Sequence, residues 1–245
     1  MRHRKRHEYG AIILLLLATA GSAHGSEAPT TGLSGYWSFD EGRGDAVSDS
    51  SGSGNAGTLS NSPQWTAGKL GPGALNFPGH GLVTLPNSSS LSPASQMTVA
   101  FWTRQITVAN GGIIGKWDYT NHQQSWVVRA RANGAIRVNI APTVNDPNYA
   151  AAVETPAGSW AAGTWHHVAF VFDGAQSLNA RLAVYIDDAA QALTYQGSSM
   201  PASLANAAAD ITIGAVPDTN PWNGDIDEVR IYGRALTSQE IDAIY

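Results

Sequence analysis

The sequence predicts an all-β fold, a sandwich or barrel of antiparallel strands, on three observations. Charge is sparse: Asp, Glu, Lys and Arg make up 13 % of the 245 residues, about half of the roughly 25 % usual in soluble domains. Glycine is abundant, at 26 residues, which argues against a helical bundle or coiled coil because glycine weakens a helix interior. Short β-rich runs recur at intervals of roughly 10–15 residues with Gly, Asn, Asp and Pro between them, the rhythm of a sandwich or barrel rather than of βαβ units.

The elements follow in order. Arg2, Arg4, Lys5 and Arg6 form a basic start, Ala11 to Ala20 is an apolar run, and Gly21-Ser22-Ala23 supplies small residues for cleavage. Residues 1–23 therefore read as a secretory signal peptide, too short to span a bilayer; the alternative is an uncleaved signal anchor. No other run is long and apolar enough to span, so the mature chain is expected to be secreted or periplasmic, without membrane insertion. Residues 24–33 are a short polar lead-in, expected to be flexible. From residue 34 to 245 one domain is expected. Its strands are GYWSF, GALNF, GLVTL, MTVAFWTR, GGIIGKW, SWVVRAR, AIRVNIA, TWHHVAFVF, ARLAVYID, ITIGAV and GDIDEVRIYG. A short helix is expected near Leu236–Ile241, where Thr237 and Glu240 have the spacing of a capping box.

Composition excludes several functions. With no cysteine, disulfide scaffolds, Cys-ligated zinc, iron–sulfur centres and thiol catalysis are ruled out. Without the first 23 residues, ten basic side chains face eighteen acidic ones, a net of −8. Nucleic-acid binders carry basic stripes, so nucleic acid is not an expected partner. An exported chain without disulfides must draw its stability from a large sheet core or a bound cation.

Alternation assigns faces. Trp126, Val128 and Ala130 share one side of their strand; Arg129 and Arg131 share the other. In the next strand Val138 and Ile140 oppose Arg137 and Asn139. With a hairpin turn over Ala132–Ala135, Arg129, Arg131, Arg137 and Asn139 form one basic patch. It is either a solvated sheet face or a ligand surface. Three arginines among ten basic residues favour clustering with a purpose, and such a patch would select acidic glycans, because Arg pairs bidentately with carboxylates.

Saccharide sites join aromatic faces to hydrogen-bonding side chains. Three loops have that mix: Trp117, Tyr119, Asn121, His122 and Gln123 between two strands; Ala141–Tyr149, ending on Tyr149; and Asp218, Asn220, Trp222 and Asn223. Loops on a rigid scaffold are where binding residues gather. Trp117 and Trp222 are therefore the candidate exposed stacking platforms, with capping of the core edge as the alternative. Trp37, Trp102 and Trp165 fall inside strands and are expected in the core, and His167 reads as a satisfied structural histidine. In the last strand strict alternation puts Asp227 on the face of Val229 and Ile231, where a buried carboxylate needs a cation, an Arg or several donors.

The opening GYWSFDEGRGDAVSDSSGSGNAGTL, the middle TWHHVAFVFDG followed by ARLAVYIDD, and the closing GDIDEVRIYGRALTSQEI together resemble a laminin-G-like domain of the concanavalin-A-like jelly-roll superfamily, over roughly residues 34–245. The resemblance implies two antiparallel sheets, one concave and one convex. It leaves function open among lectins, carbohydrate-binding modules, glycoside hydrolases, polysaccharide lyases and adhesion domains. It also implies a structural calcium between an N-terminal loop and the final strand, carried here by Asp49, Asn55 and Asp227, with Asp40 a further candidate. The same Asp and Asn residues before Gly and Ser also make Asx turns without metal. Enzyme motifs of the superfamily are missing. The laminarinase-like E-x-D-x-x-E strand is absent, the nearest text being Asp225-Ile226-Asp227-Glu228. An alginate-lyase-like site could draw on Arg129, Gln123 or Gln124, His122 and Tyr149, but the lyase motifs are absent. The expectation is a carbohydrate-binding, non-catalytic domain using its loops and concave sheet; a polysaccharide lyase or glycoside hydrolase and a protein-binding adhesion domain are the alternatives.

Overall fold

The computed structural model describes residues 27–146, 151–217 and 219–245. The expected signal peptide, Tyr149 and Asp218 lie outside the described residues. The described residues form two antiparallel sheets packed face to face, with strands numbered along the chain. One sheet runs β14 (Ala189–Ala190), β13 (Leu182–Ile186), β12 (His166–Asp173), β7 (Gln96–Gln105), β17 (Gly224–Tyr232), β5 (Ala74–Phe77), β4 (Gln64–Thr66), with β1 (Leu33–Trp37) also on β17. The other runs β15 (Thr194–Gly197), β11 (Ala151–Glu154), β10 (Ile136–Ile140), β9 (Gln123–Ala130), β8 (Gly111–Asp118), β16 (Ile211–Ile213), β6 (Leu82–Leu85), β3 (Gly57–Ser60), β2 (Ala46–Val47). The all-β sandwich expected from the sequence is the fold found.

The period of two fills the space between the sheets. Val99, Phe101, Val168, Phe170, Phe172, Val229 and Ile231 come from the first sheet. Trp126, Val128, Ile136, Val138, Ile140, Ile211 and Ile213 meet them from the second. Trp126 and Phe170 touch across the interface with ring centroids 5.6 Å apart. Trp37 is fully buried, as expected, and its Nε1 donates to the Asn55 carbonyl oxygen at 2.8 Å.

A second, smaller core lies on the outer face of the first sheet. There Leu236, Ile241 and Ile244 cover Ala100, Ala169 and Tyr232. The helix α1 (Ser238–Asp242) starts with the expected capping box: Thr237 accepts from the Glu240 backbone and Glu240 accepts from the Thr237 backbone.

Two expectations need correction here. Asp227 does not face the core with Val229 and Ile231. Glu228 adopts φ 55°, and the β17–β7 register shifts between Asp227 and Arg230. This bulge inserts one residue, so Ile226 joins Val229 and Ile231 on the inner face while Asp227 stays on the outer one. Trp165 lies just before β12 and is only half-buried, with the Arg104 guanidinium 5.0 Å from its ring centroid. Some strands were not expected at all. β11, β14 and β15 are built from AAVE, AA and TYQG, text with little β-branched character whose extension comes from pairing with a neighbour.

Candidate functional site

The arginine patch forms as alternation requires. Arg131 N donates to Ala135 O at 2.9 Å and Gly134 N to Arg131 O at 2.9 Å, closing the hairpin. Gly134 takes φ 74°, which a glycine adopts without strain. The turn pairs β9 with β10 so that Arg137 stands opposite Arg129 and Asn139 opposite Val127. All four lie on the outer face of the nine-stranded sheet, away from Trp126, Val128 and Val138.

Two like charges placed directly opposite repel. The structure answers with a residue that the sequence reading missed. Glu154 on β11 lies opposite Arg137 and takes ion pairs from Arg131 Nε at 3.0 Å and Arg137 Nη1 at 3.4 Å. Gln196 closes the group: its Nε2 donates to Glu154 Oε2 at 2.8 Å, and its Oε1 accepts from Arg137 Nη1 at 2.9 Å. Arg131 and Arg137 thus share the Glu154 carboxylate, with Arg129 beside them on the same face. Neither Glu154 nor Gln196 sits in an alternating apolar run, so no strand signal pointed to them.

Beside the arginines is a hollow of about 230 Å³ whose lining includes Asn110, Arg129, Arg131, Thr219 and Asn220. Glycine makes room for it. A Cβ on Gly112 would stand 2.2 Å from Thr219 Oγ1, so the 219–222 segment can lie close to β8. Gly112 N donates to Asn220 O at 2.8 Å and holds it there. A second hollow of about 190 Å³ on the same sheet is lined by Thr84, Trp117, Asp118, Asp210 and Thr212. Lys116 beneath it donates to Asn87 Oδ1 at 2.6 Å and Ala209 O at 2.7 Å. Burial pushes its ammonium down to about 8, against the pull of Asp210.

The aromatic candidates are placed differently from expectation. Trp117 is 1 % exposed and packs with Val127, Ala141 and Val216; the Arg129 guanidinium lies 5.6 Å from its ring centroid. Trp222 is 0 % exposed and stacks on Trp160 with centroids 5.6 Å apart. Neither offers a free ring face, so the exposed-platform expectation is corrected to core capping. A loop indole beside Gly and Asn is still a large apolar surface, and it is removed from water wherever a neighbouring loop can cover it. Tyr119 is half-buried against the Trp117 cluster. His122 is exposed at the β8–β9 turn with φ 56°. Asn139 is 2 % exposed.

Asp49 Oδ1 accepts from Tyr36 N at 3.0 Å and Ser51 N at 2.9 Å, and its Oδ2 from Asn55 N at 2.9 Å. Burial alone would raise its carboxyl, but these bonds hold it below the usual value. Asn55 Oδ1 accepts from Ser88 Oγ at 2.7 Å. Asp227 is elsewhere. Its Oδ2 accepts from Lys69 N at 2.8 Å and Leu70 N at 3.1 Å, and burial raises its carboxyl to about 7. Tyr36 sends both backbone groups to Asp49 and Ser50, so Asp49 lies on the edge of β1 turned away from β17. Asp49, Asn55 and Asp227 do not fit one calcium ion. Among the described residues no three His, Asp or Glu side chains converge as metal ligands. What the Gly-rich loop makes is the Asx turn that the same residues allowed.

His167 is buried, at 1 % exposure, yet neither ring nitrogen has a hydrogen-bond partner. The expectation of a satisfied histidine is corrected. Burial lowers its imidazole to about 4, with Arg230 adding to that and Asp187 opposing it.

A family model for laminin-G domains, described as "Concanavalin A-like lectin/glucanases superfamily", matches residues 77–242. No curated protein sequence matches. Solved structures share the fold at low identity. Domain 4 of AbnA, a GH43 extracellular arabinanase from Geobacillus stearothermophilus solved with arabinotriose, is 22 % identical with a TM-score of 0.63, over 87 % of this chain and 98 % of that domain. The Trypanosoma rangeli sialidase in complex with sialic acid is 19 % identical with a TM-score of 0.65, over 89 % of this chain and 33 % of that one. The receptor-binding domain of a botulinum neurotoxin C/D mosaic is 11 % identical with a TM-score of 0.66, over 89 % of this chain and 51 % of that one. The chain thus spans about the whole of the arabinanase domain, about a third of the sialidase and about half of the toxin domain.

Proposed function

Because this chain belongs to the concanavalin A-like lectin/glucanase superfamily, we propose that it is an exported, non-catalytic glycan-binding domain whose outer nine-stranded face takes acidic saccharides. Glycan binding agrees coarsely with its structural neighbours, among them a domain solved with arabinotriose and a sialidase solved with sialic acid. Export rests on the sequence of residues 1–23.

The observation that supports the ligand preference is the gathering of Arg129, Arg131 and Arg137 on one sheet face beside the hollow of about 230 Å³. Glu154 holds Arg131 and Arg137 in position. A uronate carboxylate would receive charge-assisted hydrogen bonds from this cluster. The Asn110, Thr219 and Asn220 side chains are suited to the ring hydroxyls.

The test is calorimetric titration with trigalacturonate and with neutral trisaccharides at low and high salt. Trigalacturonate should bind, and more weakly as salt rises. Arg129→Ala and Arg131→Ala should each weaken it by about 1–3 kcal/mol if they are central contacts. Failure of the acidic probe to bind, or binding indifferent to both substitutions, overturns the reading.

A further inference from the structure

The structure assigns a second saccharide site to the outer face of the first sheet: a stacking platform at Trp102 that the chain's own Tyr245 ring covers and that a sugar ring would take over. The platform lies on β7 and β12 beside the small core under α1, and it shares no residue with the arginine face. The class of ligand rests on the glycan-binding reading. The place rests on the packing around His167.

Strand geometry brings the group together. In β7 Val99 and Phe101 face the inter-sheet core, so Ala100 and Trp102 point outward. His167 stands opposite Trp102 on β12, and Asp227 stands opposite it on β17. The side chains then meet ring to ring. Trp102 and His167 have centroids 5.3 Å apart. Tyr245 stacks on Trp102 at 5.4 Å with 20° between the planes, and its centroid is 5.9 Å from that of His167. The Lys69 ammonium lies 4.6 Å from the Trp102 centroid.

Beneath Tyr245 the polar atoms are left without partners. His167 is 1 % exposed and Trp102 3 %, whereas Tyr245 itself is 48 % exposed and forms the outer layer. Both ring nitrogens of His167 and Nε1 of Trp102 lack a hydrogen-bond partner, and so does Oδ1 of Asp227 on the next strand. Such groups cost free energy until a partner arrives. Burial keeps the imidazole neutral at pH 7, so it carries one donor and one acceptor beside the indole donor. The phenol ring therefore supplies stacking to Trp102 and no hydrogen bond to the pair.

A sugar ring meets both needs. Its C–H face can stack on the indole as the phenol does, and its hydroxyls donate and accept, so they suit His167 and Trp102 Nε1. The exposed Lys69 stands at the margin of the same indole. Tyr245 is free to give way. Its backbone N–H donates to Asp242 O at 3.3 Å, while α1 is held independently by the burial of Ile241 and Ile244 and by the bonds of Arg234 to Glu240. Tyr245 is thus a resident competitor, and removing its ring should strengthen binding.

The experiment is calorimetric titration with arabinotriose, cellotriose and mannotriose, in chains that all carry Arg129→Ala so that the arginine face is disabled. Adding Tyr245→Ala should tighten at least one trisaccharide fivefold or more. Tyr245→Phe keeps the stacked ring and should bring no gain. His167→Leu, added to Tyr245→Ala, should abolish the gain, with a melting curve to verify the fold. Equal or weaker binding after Tyr245→Ala, no binding by any chain, the same gain in Tyr245→Phe, or a gain that survives His167→Leu overturns the assignment. The arginine face is read separately, by trigalacturonate with and without Arg129→Ala. Indifference to that substitution removes the arginine reading and leaves the Tyr245 comparison standing.

Discussion

Single residues show where burial outweighs apparent loop character. Trp117 and Trp222 sit beside turn-forming residues in sequence, yet each is 1 % exposed or less. Trp117→Ala and Trp222→Ala should each lower stability by about 3–5 kcal/mol through lost transfer energy and a residual cavity; urea melts check this. His167 makes stability depend on pH. Its folded imidazole titrates near 4 and its unfolded one near 6.5, so the unfolded chain binds the extra proton between those values. The stabilising effect of keeping it neutral is complete above pH 6.5 and is lost as pH falls. By pH 4 the loss should approach about 3 kcal/mol. His167→Leu should flatten that part of the stability–pH curve, and an unchanged slope would refute the assignment.

At the scale of elements, local signals and packing agree in most places. The capping box at Thr237 and Glu240 was legible from spacing, and Thr237→Ala should cost about 1 kcal/mol, read as a lower melting temperature. Arg234 also grips Glu240, with Nη2 to Oε1 at 2.6 Å, and this together with the Thr237 bonds holds the Glu240 carboxyl near 2. Gly35 is a different case. A Cβ there would stand 2.2 Å from the Trp37 ring, because residues two apart share a face. Gly35→Ala should therefore cost about 1–3 kcal/mol by overpacking. The β9–β10 hairpin, its turn and the facing of its side chains were also readable in advance. The bulge at Glu228 was not, since one inserted residue breaks the period on which facing arguments depend.

For the molecule as a whole, the two sheets present outer faces of different chemistry. One carries the arginines, Glu154 and Gln196; the other carries the Arg104–Asp225 pair and the surface under α1. Stability is distributed over the inter-sheet core and the smaller core beneath Leu236, Ile241 and Ile244. Asp49 accepts from backbone N–H groups and Asn55 Oδ1 from Ser88 in one loop, while Asp227 lies on β17 with its Oδ2 bonded to Lys69 N and Leu70 N. Melting curves in chelator and in millimolar calcium should therefore coincide. A rise with calcium would reveal a ligand set other than Asp49, Asn55 and Asp227, by mass action on the folded state. Among the described residues no helix is long and apolar enough to cross a membrane.

The sequence by itself determined the all-β class, most strands, the terminal helix and the grouping of Arg129, Arg131 and Arg137. These depend on periods of two, turn residues and caps, which act within a few positions along the chain. Tertiary structure alone decided that Glu154 and Gln196 join the arginines, that Trp117 and Trp222 are covered, and that Asp227 is turned off the inner face. It also decided that Asn76, Arg104 and Asp225 meet on the outer face of the first sheet. Each of these depends on which strands become neighbours across long stretches of chain, and the free energy of burying shared surface chooses that pairing after the local signals have been satisfied.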